Sequence, residues 1–292
     1  MATLQQEIEN VFANGKSKAG IKKALKVIGL TDLDIAGLIL LHASELPTTT
    51  RKAQHTFGVE IECFVNRSAL CASARSNGVS CQGESYNHQD NTTHFKIVSD
   101  ASVYGYADPN EVVSPILKGS KGQNALKAIC KSLSECSARV NRSCGLHVHI
   151  GLQNVTEQQY VNIFKNYAKL ERIIDSFMAE SRRGSNNFYC KSICNANFGE
   201  CATKTDIDRE LRSDRYYKVN PIAYRRHNTI EFRQHQGTTD YNKISNWIAF
   251  LTALVDFSKN NALTAEPQSI EDLTFLPKKV REYYMNRISE LN

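Results

Sequence analysis

Three short stretches of the chain alternate apolar and ionisable side chains with a period of two, and this constrains the fold more than any other feature. In "TFGVEIECF", residues 56–64, Phe57, Val59, Ile61 and Cys63 fall on one face of an extended strand, while Glu60 and Glu62 fall on the other. In "CGLHVHIGL", residues 144–152, Leu146, Val148 and Ile150 oppose His147 and His149. In "NTIEFRQHQGTT", residues 228–239, Ile230 and Phe232 oppose Glu231, Arg233 and His235. The apolar faces call for a core. The other faces call for either solvent or a ligand.

Each strand taken alone has a plain structural explanation. Solvated strand faces often carry Glu, and Glu231 can pair with a basic neighbour across a sheet for little gain. Two adjacent carboxylates, however, repel one another and are costly to desolvate. A cation between them removes that cost, and Mg²⁺ prefers such oxygen ligands. Arginine is the side chain best shaped to hold a phosphate by two parallel hydrogen bonds. Placed side by side in one antiparallel sheet, the three strands would form a basin of metal ligands with a phosphate clamp. The stretch "DASVYGYADPNEVVSPIL" adds Asp100 and Glu111. Such a basin suits nucleotide–Mg²⁺ chemistry.

Between the strand-like runs lie helical ones. "NALKAICKSLSECSARV", "TEQQYVNIFKNYAKLERIIDSFM" and "YNKISNWIAFLTALVDFSK" carry apolar residues at helical spacing, the second with Thr156 and Gln159 placed as a capping box. The mixture predicts an α+β fold, a sheet with helices covering one face. The first fifty residues read differently, as three short amphipathic helices, two of them closed by Gly15 and Gly29. Residues 1–48 are expected to form a helical appendage, 49–55 a linker and 56–292 the main, catalytic domain.

Composition narrows the classes. A charged content of 23% and a hydrophobic content of 41% are those of a globular domain. No run of about 18 apolar residues predicts a membrane span, and the N-terminus lacks the layout of a signal peptide. A cytoplasmic protein is expected, with its nine cysteines reduced. Cys190, Cys194 and Cys201 cluster in sequence, but not at the usual zinc spacing. The formal charge of +6 (36 basic minus 30 acidic) suits a phosphate-bearing ligand. Its even spread argues against nucleic acid.

The order of these motifs resembles the catalytic sheet of glutamine synthetase and of the carboxylate–amine ligases that share its fold. The wording is closer still to the amidoligase family, often found in phages and bacteria. It is matched by "FGVEIE", "DASVYGYADPNEVVSPIL", "CGLHVHIGL", "ESRRGSNNFYC", "YYKVNP" and "TIEFRQHQGTTDYNKISNWIAF" over roughly residues 57–257. The resemblance implies a glutamine synthetase-like antiparallel sheet with ATP and Mg²⁺ as cofactors, Mn²⁺ being an alternative ion. It implies Glu60, Glu62, Glu111, His147 and Glu231 as metal ligands, and His149, Arg182, Asn220 and Arg233 as nucleotide contacts. Arg233, Asp100 and Glu111 would be catalytic, Asp100 as base for the amine.

The implied reaction joins a carboxylate to an amine through an acyl phosphate. The substrates would be amino acids, peptides or protein side chains, in a bacterial or phage-infected cytoplasm, and an oligomer is compatible with the resemblance. The insert "CASARSNGVSCQGESYNHQDNTTH" is long enough to cover the basin, and its role stays open. Three alternatives stay open on the residues alone: a phosphotransferase on the same fold, a zinc metallohydrolase, and an inactive binding module.

Overall fold

The computed structural model describes residues 3–14, 18–32, 34, 35, 38, 55–85, 87 and 93–291. The chain separates into two compact units, Met1–Gln54 and His55–Asn292. In the first, helices α1 (Leu4–Asn14) and α2 (Lys18–Val27) enclose a small cluster of Phe12, Ile21, Leu25 and Ile35. Gly29 follows α2 with a φ of +90°, a conformation in which a side chain would be strained. The expected third helix, Gly15 and the linker fall largely or wholly outside the described residues.

The second unit is a mixed α+β structure built on an eight-stranded, mostly antiparallel open sheet. Its strands are β1 (Thr56–Phe64), β2 (Cys81–Gly83), β3 (Phe95–Val98), β4 (Pro109–Val113), β5 (Leu117–Lys118), β6 (Gly145–Gly151), β7 (Val219–Asn220) and β8 (Thr229–Gln236). Across the sheet the order is β2-β3-β4-β1-β6-β8-β7, with β5 pairing with β1. Only β2 and β3 pair in parallel. The three strands of alternating character are therefore neighbours, β1 beside β6 and β6 beside β8.

The apolar face of the sheet carries Val59, Ile61, Ile97, Val112, Leu146, Val148, Ile150, Ile230 and Phe232, all buried in one continuous core. Helices α4 (Gly119–Glu135), α5 (Glu157–Ser176) and α8 (Tyr241–Ser258) supply the other side of that core through Leu126, Phe164, Tyr167, Trp247 and Leu251. Local chemistry starts these helices where the sequence suggests. Thr156 and Gln159 form the capping box of α5, and the Asp240 carboxylate accepts from Lys243 N at 2.8 Å to cap α8. A C-terminal helix, α9 (Lys278–Leu291), adds Val280 and Tyr284 to the core.

Two expectations change. The first part of the 71–94 insert joins the fold rather than the polar face, and residues 86 and 88–92 of the insert lie outside the described residues. Helix α3 (Arg67–Ser76) buries Leu70 and Ala74 in the core, and Cys81–Gly83 becomes the edge strand β2. His235 does not join Glu231 and Arg233. Between Leu146 and Val148 the register shifts, so that one residue of β6, His147, faces two of β8, Arg233 and Gln234, a β-bulge. The extra residue turns His235 to the helix side, where its ring lies 5.9 Å from that of Trp247.

Candidate active site

The register of the sheet assembles the basin. Glu62 of β1 pairs with Glu111 of β4, Glu60 of β1 with His147 of β6, His149 of β6 with Glu231 of β8, and Glu231 with Asn220 of β7. Residues directly opposite in a sheet share a face, so five strands deliver their polar side chains to one surface. That surface floors a cavity of about 1400 Å³, also lined by Asp100, Arg182 and Arg233. All ten residues expected from the sequence therefore meet in one place, although they come from positions 60 to 233.

His147 sits at the centre. Its Nδ1 lies 2.9 Å from Glu60 Oε2 and 3.8 Å from Glu231 Oε1, and its Nε2 lies 3.5 Å from Glu62 Oε1. It belongs to two convergent groups, Glu60–His147–Glu231 and Glu62–Glu111–His147, whose ligand atoms lie within 4.8 Å of one another. Carboxylate oxygens around an imidazole are donors that divalent cations accept, so these residues fit a metal ion.

The electrostatics support that fit. Burial, reinforced by Glu60, Glu62 and Asp100, pushes the Glu111 carboxyl well above the usual carboxylate range. A proton or a cation is needed to quiet these charges, as for any packed group of carboxylates. Burial acts the same way on Glu60, but the His147 hydrogen bond and the nearby His149 imidazole outweigh it and hold Glu60 well below its ordinary value. Glu231 is likewise buried, yet the Arg233 guanidinium beside it brings its carboxyl down to about 2.

Arg233 is ion-paired with Glu231 and is itself buried. Asn220 Nδ2 donates to the other oxygen of Glu231 at 2.5 Å, so Glu231 is gripped from both sides. Arg182 Nη2 donates to the Cys144 carbonyl at 2.6 Å, which aims the guanidinium over the start of β6. There, a Cβ on Gly145 would lie 3.2 Å from both Arg182 Nη1 and His147 Nε2 and 3.4 Å from Glu62 Oε2. Glycine is what lets these three groups approach the backbone, and Gly145 N donates to Glu62 Oε2 at 2.5 Å.

His149 Nδ1 bonds Thr229 Oγ1 at 2.9 Å, while its Nε2, 3.3 Å from Glu60 Oε1, makes no hydrogen bond of good geometry. Burial opposes the charging of His149, but Glu60 and Glu231 prevail and raise its pKa. Asp100 Oδ1 accepts from Ser102 N and Oγ, both at 2.7 Å, and its carboxylate is close enough to act on that of Glu111.

The three clustered cysteines go elsewhere. Cys190 faces Arg182, Cys194 is exposed, and Cys201 donates to the Asn197 carbonyl. Among the described residues they form no metal-ligating group. Lys96, also in the cavity wall, was not anticipated. A single lysine within "FKIV" carries no signal until β3 is known to lie beside β4. No helix among the described residues is long and apolar enough to cross a membrane.

No curated protein matches the chain. A protein-family model described as "putative amidoligase enzyme" matches residues 53–255, which contain every strand of the sheet and every basin residue named above. The chain belongs to the amidoligase family of enzymes.

Proposed function

We propose that this protein is an ATP- and Mg²⁺-dependent carboxylate–amine ligase on a glutamine synthetase-like fold, working through an acyl phosphate. The observation that carries the reading is the pair of carboxylate–histidine groups sharing His147, with Arg233 and Arg182 over the same floor. A hydrolytic zinc site has no evident use for two buried guanidiniums beside its ligands.

Glu60, Glu62, Glu111, His147 and Glu231 would hold the metal. Bound there, ATP–Mg²⁺ supplies the phosphoryl group and the charge neutralisation that convert an unreactive carboxylate into an acyl phosphate. Arg233, fixed by Glu231, presents its guanidinium to the negative charge that gathers on the transferring phosphoryl oxygens. Asn220 acts through Glu231 and keeps Arg233 aimed. Arg182, held by the Cys144 carbonyl, and His149 contribute further donors to phosphate. The amine must lose a proton before its lone pair attacks the acyl carbon, and Asp100, which lines the cavity, would accept it. Attack breaks the acyl C–O bond, leaving an amide and phosphate. Manganese fits the same donor set.

The test is thermal unfolding with and without ATP–Mg²⁺, in wild type and in Glu62→Ala. At about a hundred times its dissociation constant, the nucleotide should add roughly 2.7 kcal/mol. A rise in the melting midpoint in wild type that disappears in Glu62→Ala is the expected result, followed by hydroxamate formation when hydroxylamine traps the acyl phosphate. Nucleotide-independent hydrolysis by a zinc-loaded preparation would overturn the reading. A stable phosphorylated product would convert it to phosphotransfer.

A further inference from the structure

Lys96 lies in β3 with only 4% of its surface exposed, and it lines the same cavity as the carboxylates. The register places it opposite Val113 of β4, which in turn pairs with Glu60 of β1. At one level of the sheet, the floor therefore reads carboxylate, branched apolar side chain, ammonium. Two inter-strand spacings separate Glu60 from Lys96, about 10 Å. Val113 is half-buried and lines the cavity between them.

The ammonium is held in place. Lys96 Nζ donates to the Asn87 carbonyl at 3.2 Å and to Asn87 Oδ1 at 3.0 Å, and Asn87 too lines the cavity. A lysine placed in this way offers a compact point charge to carboxylate or phosphate. Arg233 and Arg182 lie on the far side of β1, over β8 and β6. Lys96 is thus set apart from the groups assigned to the transferring phosphoryl, on the side where Asp100 stands.

We infer that Lys96 is a specificity-determining residue, which receives a second anionic group of the acid substrate on the far side of Val113 from Glu60, about 10 Å across the floor. The intervening chain of that substrate lies over Val113. The inference rests on the ligase reading and adds a substrate class to it: acids with a negatively charged tail, carboxylate or phosphoryl.

Three eight-carbon probes test it: octanoate, suberate and 8-phosphonooctanoate. Their affinities are measured by titration calorimetry with a non-hydrolysable ATP analogue and Mg²⁺, on the full chain as wild type, Lys96→Met and Lys96→Arg. Wild type should bind at least one anionic-tailed probe about tenfold or more tightly than octanoate, as expected for a hydrogen bond between charged groups. Lys96→Met should lose that preference, and Lys96→Arg should keep most of it. Which of the two probes gains identifies the tail. No preference in wild type, or an unchanged preference in Lys96→Met, would overturn the inference. If Lys96→Met fails to fold, Asn87→Ala takes its place, and the preference must fall there as well. The melting shift with ATP–Mg²⁺ is read in the same samples. Its absence from wild type would sink the ligase reading, while a tail preference that follows Lys96 would still establish the anion anchor.

Discussion

At Gly145 the backbone of β6 passes within a side chain's width of Arg182, His147 and Glu62. A methyl group added there has to displace at least one of them by a few tenths of an ångström. Arg182 is tied to the Cys144 carbonyl and His147 to Glu60, so neither yields without breaking a buried hydrogen bond. Gly145→Ala should therefore keep the fold, lowering the melting midpoint by about 2–4 °C for a loss near 1 kcal/mol. It should nonetheless weaken ATP–Mg²⁺ binding about tenfold or more, as measured by calorimetry. Unaltered nucleotide binding would mean that these three groups do not form the ligand set. The alternation in the sequence places Glu62 and His147 on one face, but it is silent on Gly145. That role appears only when β1 and the 180–182 turn are brought up to β6.

At the scale of elements, β6 and β8 show both what period-two reading achieves and where it stops. Alternation assigns Glu60, Glu62, His147, His149, Glu231 and Arg233 to one face, and the register, with the Arg233–Glu231 ion pair and the shared cavity, bears that assignment out. It fails at His235, because a bulge adds a residue and the sequence carries no mark of it. The displaced imidazole is buried, and burial, with Arg182, Lys243 and Arg287 acting in the same direction, brings its pKa down to about 4. The folded protein thus holds His235 neutral where an unfolded chain, with a value near 6.5, takes up a proton. Stability from the buried neutral ring is complete above about pH 6.5 and is lost as pH falls towards 4, by about 3 kcal/mol. Urea unfolding of wild type and His235→Gln at pH 7, 5.5 and 4.5 should show wild type losing that much more. Parallel losses in the two proteins would place the titrating group elsewhere. Behind the same strand, fully buried Lys218 donates to Glu171 at 2.8 Å and to Asp175 at 2.6 Å. Asp175 in turn accepts from Gly184 N, tying the segment that carries Arg182 to α5. Nothing in the spacing of these residues announces that network, since its members lie 43 and 47 positions apart.

On the scale of the molecule, the apolar clusters divide as the compact units do. The large cluster begins at Phe57 and takes buried side chains from α3, α4, α5, α8 and α9 and from the short helix α6 (Lys204–Glu210), with Tyr224 of α7 (Ala223–His227) packed against it. The small one draws only on residues 8–38. The α+β character was legible because the helical and strand periods alternate along residues 56–258. The C-terminal helix α9 was not, since its exposed residues dilute the apolar stripe to Val280 and Tyr284. Matching of the family model from residue 53 agrees with this division, since all the basin residues lie beyond it. Residues 55–292 should therefore fold without the first 54, because the described residues of the large cluster all lie from Phe57 onward. Cooperative thermal unfolding is expected for the shortened chain, with a midpoint within a few degrees of the full chain. The rise on adding ATP–Mg²⁺ should be equal in the two. An unfolded product would show that the first unit supplies contacts the main core requires. A folded product that no longer responds to nucleotide would assign the first unit a part in binding, and would move the search for function from the sheet to α1 and α2.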